Sequence, residues 1–186
     1  MEFISDRVSV EQRPDGLSVV VSARLPRSKE TLLVAWAFAW LCCGAYMLWE
    51  LLHQPSGPLR TYLAMFMGFW LLYAWRIGGV VLWRLKGFEL WRLKDGIFTI
   101  KDSVFGYGRA NEHFVENMQR FGVVAVDETS WKWQLNDSFW VKGGERLGFE
   151  YAGRKVVFGK SLTRAEAEKA ARLLERAFAQ YRKKAR

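Results

Sequence analysis

Two stretches of the chain lack the alternation of apolar and polar positions that a half-buried element shows. Thr31 to Trp49, TLLVAWAFAWLCCGAYMLW, is 19 residues without a charge, about 28 Å as a helix and close to the hydrocarbon thickness of a bilayer. No polar face interrupts it, which excludes a helix lying along a surface. HQPSGP follows, a turn with two prolines and a glycine in six residues. A second apolar run, Thr61 to Trp83, is 23 residues long with the single charge Arg76 inside it. Two such runs would leave a chain of 186 residues little sequence with which to cover them as core helices. The pattern therefore predicts a transmembrane hairpin with spans over 31–52 and 61–83. Trp36, Trp49 and Trp83 fall near the expected span ends, where interfacial aromatics collect.

Outside these runs the period changes to that of strands and of one amphipathic helix. RVSVEQRPDGLSVVVSARLP reads as a hairpin of Val8–Gln12 and Leu17–Ala23 about the turn RPDG. FELWRL (Phe88–Leu93) and IFTIKDSVF (Ile97–Phe105) read as a hairpin joined at Asp95-Gly96. GYG at Gly106–Gly108 turns the chain into RANEHFV, RFGVVAV (Arg120–Val126) is a further strand, and RLGFEYAGRKVVFG is a hairpin turning at 152–154. Thr163 and Glu166 have the spacing of a capping box. Ala170, Leu173, Leu174, Ala177, Phe178 and Tyr181 then form one apolar stripe. The expected layout is an N-terminal β-hairpin over 1–30, the helical hairpin over 31–84, and a β-rich domain over 85–186 closed by a helix over 163–185.

Charge sharpens this layout. Only Glu50, Arg60 and Arg76 are charged between Thr31 and Trp83, whereas Arg84 to the end has 21 Lys+Arg against 13 Asp+Glu, +8 of the net +9. Five basic residues precede the first span (Arg7, Arg13, Arg24, Arg27, Lys29) and Arg84, Lys86, Arg92 and Lys94 follow the second, against Arg60 alone in the connecting loop. The positive-inside rule then puts both termini in the cytoplasm. Arg76 lies 15 residues past Thr61, about 22 Å from the loop side, so its stem can reach the far headgroups. A central Arg costs about 2.5–3.5 kcal/mol on insertion scales, and nine Leu, Ile, Val and Phe in the same run return about 0.3–0.6 each. Arg76, with Arg84 and Lys86, is assigned to the membrane interface or a lipid phosphate, and for Arg76 a partner's carboxylate is the alternative. Glu50, at the loop end of the first span, is at a different depth from Arg76 and is expected to reach Arg60 or solvent. Ala35, Ala39 and Cys43, spaced by four, offer a close-packing face for the partner helix or another subunit. The first 30 residues hold no apolar run, so no signal peptide is expected.

Catalytic patterns are missing from the sequence. There is no GxxxxGK[ST], GxSxG or HExxH. The two histidines, His53 and His113, fall on opposite sides of the expected membrane. The adjacent Cys42 and Cys43 suit neither a bridge nor a zinc site. The expectation is a protein that is not an enzyme and takes no cofactor, metal or small-molecule substrate. Nucleic acid is excluded as a partner, because the basic balance follows topology and no docking motif appears.

The order of elements, with DGxxTI at Asp95–Ile100, FGxGR at Phe105–Arg109 and the G(K/R)xxxFG…LxxxEA pattern at Gly153–Ala167, resembles small bacterial membrane proteins with pleckstrin-homology-like domains. The likeness covers roughly 85–175 and rests on turns and strand ends. It implies a bent seven-stranded barrel plugged by the C-terminal helix, a bacterial inner-membrane location, and binding to proteins or lipids. The chain departs from the family's short connection in one place, the insert DETSWKWQLNDSFWVKGGER over Asp127–Arg146. Trp131, Trp133, Phe139 and Trp140 there form an apolar patch unless something covers it. Three occupants are open: the barrel's own end, a partner protein, or the bilayer surface. The sequence points to an accessory, assembly or scaffold component that docks on an integral membrane protein or complex, with a lipid-surface sensor or regulator as the alternative.

Overall fold

A computed structural model describes residues 2–14, 16–138 and 140–184 of the chain. It is an α+β protein with two long apolar helices and two antiparallel sheets. Three strands come first, β1 (Glu2–Ser5), β2 (Val8–Arg13) and β3 (Gly16–Ser22). The helices α1 (Arg27–His53) and α2 (Pro58–Lys86) follow, then β4 (Gly87–Lys94), β5 (Ile97–Val104), β6 (Ala110–Phe114) and β7 (Met118–Val123). A short helix α3 (Trp131–Asn136), β8 (Leu147–Tyr151), β9 (Arg154–Phe158) and α4 (Arg164–Lys184) complete the chain.

The first six strands form one sheet in sequence order and β7–β9 form the other. The helical hairpin is thus inserted between two neighbouring strands: β3 pairs β4 from Gly16↔Lys94 to Ser22↔Phe88. Both helices leave the sheet at the same end, where the Ala23 N–H donates to the Gly87 carbonyl at 3.1 Å. At the opposite end Asp95 and Gly96 both have positive φ, 48° and 76°, the backbone a tight two-residue hairpin turn requires.

The core lies between the two sheets and α4. Val8, Val10, Val19, Trp91 and Phe98 of the first sheet meet Leu147, Phe149 and Phe158 of the second and Ala170, Leu174 and Phe178 of α4. The aromatic rings meet edge to face, as Phe98 does with Phe158 at 5.5 Å and with Phe178 at 5.3 Å, the arrangement ring quadrupoles favour. The capping box forms as its spacing implies: Thr163 N–H donates to Glu166 Oε2 at 2.8 Å and Glu166 N–H to Thr163 Oγ1 at 3.3 Å.

Three expectations need correction. The barrel is not closed. The N-terminal strands add to β4, and the 3-10 turn Val115–Asn117 carries the chain from one sheet to the other without pairing β6 to β7. Trp83 is not at an exposed interface; it is 2% exposed, packed against Gly87, where a Cβ would overlap the Trp83 carbonyl. Of the two partners expected for the Ala35, Ala39 and Cys43 face, another subunit or the neighbouring helix, it is not α2, because all three residues are exposed. The helices instead meet at Gly44, where a Cβ would overlap the Trp70 ring. Trp40 stacks on Trp70 at 6.3 Å and on Trp36 at 5.4 Å.

Beyond that seam the hairpin is open. Leu33 and Gly44 are the buried residues of α1, and Met67, Trp83 and Arg84 those of α2. Both helices are long and apolar enough to cross a membrane, and they extend past the expected spans at both ends.

Candidate interaction site

The helical hairpin joins the sheets through buried polar groups. Arg84, in the last turn of α2, is 3% exposed. Its Nη1 donates to Ser161 Oγ at 2.6 Å, and its Nη2 to the carbonyls of Val141 at 2.9 Å and Ser138 at 3.2 Å. The guanidinium also stacks on Trp83 at 4.9 Å. Its two terminal nitrogens thus serve three acceptors from two segments, a spread that suits a planar fork better than the single nitrogen of an ammonium.

Ser161 lies in the β9–α4 connection at φ 57° and is bonded on every side. Its N–H donates to the Gly144 carbonyl at 3.2 Å, and its carbonyl accepts from Arg7 Nη2 at 3.3 Å. Arg7 in turn pairs with Glu166 at 3.2 Å, across the start of α4. Glu89 holds the same connection from below. It is 1% exposed on the inward face of β4, and its carboxylate accepts from the N–H groups of Gly159 at 3.1 Å and Lys160 at 2.9 Å. Burial pushes its pKa up, and the two N–H donors and the Lys160 charge oppose that shift.

The insert is built on this junction. Asp127 Oδ1 accepts from Thr129 N–H at 3.0 Å and from Thr129 Oγ1 at 2.6 Å, a turn that leads into the single helical segment α3. Arg146, 8% exposed, lies beneath it. Its Nη1 bonds Glu128 at 2.6 Å, its Nη2 approaches Asp137 at 3.8 Å, and its guanidinium stacks on Trp133 at 4.9 Å. The Arg146 bond holds the Glu128 carboxyl below its usual range, whereas burial raises Asp137 against the pull of Arg146 and Arg84. Gly143 and Gly144 are buried against Asn136 and Asp137 because no side chain fits there.

The insert's aromatics take different roles. Trp140 packs edge to face on Trp36 of α1 at 4.8 Å, five residues into the apolar run of that helix. Trp133 is half-buried over Arg146. Trp131 is 66% exposed, and Leu135 one turn later is 58% exposed. Phe139 lies outside the described residues. Among the described residues the free apolar residues of the insert are therefore Trp131, Leu135 and Val141, the last 41% exposed.

The cationic residues assigned from sequence to the membrane interface also separate. Arg84 is turned into the protein. Arg76 is exposed on α2 and makes no hydrogen bond or ion pair with any described residue, and Lys86 is exposed at the helix end. Glu50 accepts from Tyr46 at 2.9 Å and Gln54 at 3.3 Å, near neighbours along the chain, rather than from Arg60. Sequence reasoning missed Glu89, Arg146, Ser161 and Leu135. For Leu135 the signal was its spacing of four from Trp131, and for the helix seam it was Trp36, Trp40 and Gly44 at the same spacing.

Among the described residues no group of His, Cys, Asp and Glu side chains is placed to hold a metal. His113, on β6, is wedged between Phe149 and Tyr151 at 5.1 and 4.8 Å. Neither of its ring nitrogens has a partner among the described residues, and burial lowers its pKa. It is a packing residue. Comparison with known protein families, curated proteins and solved structures finds no match to this chain.

Proposed function

We propose that this is a non-catalytic accessory, assembly or scaffold component of a bacterial inner-membrane complex. In this reading α1 and α2 span the membrane, both termini are cytoplasmic, and the sheets with α4 are an open variant of a pleckstrin-homology-like domain. The observation that carries the reading is the apolar surface of the hairpin. Phe38, Phe69, Leu72 and Trp75 are 69%, 67%, 68% and 86% exposed, far more than a core helix leaves open, so lipid or another protein must cover them. The rigid seat that Arg84 and Arg146 give the insert supports the docking role, since it presents Trp131 and Leu135 beside the hairpin in a fixed position. Large aromatics so held are the residue type that dominates binding energy at interfaces.

The test is affinity purification of the full-length protein in mild detergent, with mass spectrometry of what remains bound. A stoichiometric integral membrane protein, lost from Trp131→Ala and kept by a surface variant such as Arg172→Ala, supports the reading. A protein that purifies alone with lipid contradicts it. That second outcome favours a lipid-surface sensor, a reading for which the contact of Trp140 with Trp36 speaks, because it draws the insert along the apolar helix.

A further inference from the structure

We propose that the β5–β6 turn, Phe105–Gly108, is a second membrane contact, in which Phe105 and Tyr107 lie in the headgroup layer of an anionic bilayer. The proposal rests on the reading of α1 and α2 as membrane spans. Topology puts the turn in place. Val104, the last residue of β5, pairs with Gly87, the first of β4, so one residue further on stand Lys86 of α2 and Phe105 of the turn. The turn thus leaves the sheet at the same end as the two helices, beside the last turn of α2.

The side chains suit that location. Phe105 is 59% and Tyr107 85% exposed, and a tyrosine with an apolar body and a polar tip is an interfacial residue. The backbone gives an independent indication. Phe105 and Gly106 have φ of 53° and 85°, and Val104 and Tyr107 exchange N–H···O bonds of 2.8 and 3.0 Å across them. This is a turn whose first central position favours asparagine or glycine. A phenylalanine there is strained and gains little burial from its own chain to offset the strain.

The turn is also braced from behind. Ser103 Oγ donates to the Tyr107 carbonyl at 3.3 Å, and Lys101 Nζ to the Gly106 carbonyl at 3.1 Å. A Cβ at Gly108 would overlap the Asp102 carbonyl. Its charge is basic. Lys86 and Arg109 are exposed, and Arg109 has no hydrogen bond or ion pair with any described residue. The neighbouring carboxylate, Asp102, is paired with Lys160. Cations flanking exposed aromatics are the chemistry that recognises anionic headgroups.

The experiment uses the full-length protein with Cys42→Ser and Cys43→Ser, reconstituted into phosphatidylethanolamine–phosphatidylglycerol vesicles. A nitroxide is attached in turn at Tyr107→Cys, Leu72→Cys on the open face of α2, and Glu175→Cys on α4. The Tyr107 label is expected to collide several-fold less with a water-soluble nickel complex than the Glu175 label, with Leu72 the most shielded. Replacing phosphatidylglycerol by phosphatidylcholine is expected to reduce the protection at Tyr107 and leave Leu72 unchanged; equal protection in both lipids overturns the assignment to anionic lipid. A Tyr107 label as open as Glu175 while Leu72 stays shielded overturns the turn's membrane contact and leaves the spans standing. A Leu72 label open to nickel overturns the span reading and this proposal with it. Phe105→Asn supplies the second arm. It suits the turn, so the melting temperature in detergent is expected to hold or rise while the Tyr107 label shifts toward water. A lower melting temperature with an unmoved label would make Phe105 a structural residue and overturn the proposal.

Discussion

The helical hairpin and the sheets use the same residue types in opposite ways. Trp91 and Phe98 are 0% exposed and Phe149 and Phe158 1%, whereas Trp75, Phe38 and Phe69 on the helices are 86%, 69% and 67% exposed. The sheets and α4 complete a core within one chain. The hairpin completes only a narrow seam at Gly44 and Trp70, and its remaining surface has the composition of an interior without a partner. Stability of the sheet region is therefore a property of this sequence, and stability of the hairpin depends on what surrounds it. Arg84, Glu89 and Ser161 lie at the boundary, where the two charged groups are buried, the serine is half-buried and the contacts are polar.

Changes at that boundary are expected to be the most damaging. Arg84→Ala removes the donor from Ser161 Oγ and from two carbonyls, and a loss of about 3 kcal/mol or more is expected from charge-assisted bonds of this kind. Denaturant titration of the full chain in detergent measures it, and Arg84→Lys is expected to recover only part. Glu89→Ala strands the N–H groups of Gly159 and Lys160, with an expected loss of about 2 kcal/mol in the same titration. If Arg84→Ala is neutral, the hairpin is not held to the sheets through this junction; if Glu89→Ala is neutral, the β9–α4 connection does not depend on the buried carboxylate. Trp140→Ala breaks the edge-to-face contact with Trp36, worth about 1 kcal/mol beyond area burial; loosening of the hairpin is then read from faster proteolysis of the insert.

The pH response sharpens the contrast within the sheet region. Burial lowers the His113 pKa in the folded protein, so the unfolded chain binds the proton more readily. The stability contributed by neutral His113 is present above the unfolded value of about 6.5 and is lost as pH falls below it toward the folded value. His113→Phe keeps a ring between Phe149 and Tyr151 and is expected to flatten that acid slope in melting curves. An unchanged slope would show that His113 is not buried in its neutral form. Trp131→Ala has the smallest expected effect on stability, within about 0.5 kcal/mol, because its ring is already open to solvent. Its effect is expected on binding alone.

The elements were legible where one period dominated. Two uninterrupted apolar runs became α1 and α2, the Asp95-Gly96 turn became the β4–β5 hairpin, and the Thr163–Glu166 box starts α4. What stayed hidden depended on contacts between distant segments. β1 has few residues and no clear alternation, and the addition of β3 to β4 joins strands separated by the whole helical hairpin. In FELWRL the inward face is Glu89, Trp91 and Leu93, so a charged residue is buried where its pattern offers Phe88 and Leu90 instead. Glu89 becomes tolerable only through N–H groups from a loop 70 residues later. Arg84 reads as one more interfacial cation until Ser161 is placed against it. In the insert, four aromatics of similar appearance divide by what lies beneath them: Arg146 under Trp133, Trp36 beside Trp140, solvent over Trp131, with Phe139 outside the described residues.

That division within the insert supplies the most direct test. A photo-crosslinking amino acid is placed at Trp131 or, in a second protein, at Trp140, and intact bacterial membranes are irradiated before extraction. The account predicts a discrete adduct with another integral membrane protein from position 131, and from position 140 only crosslinks to α1 of the same chain. Crosslinking at 131 to lipid alone, or adducts to another protein from 140 and none from 131, would contradict a docking role for the exposed edge of the insert.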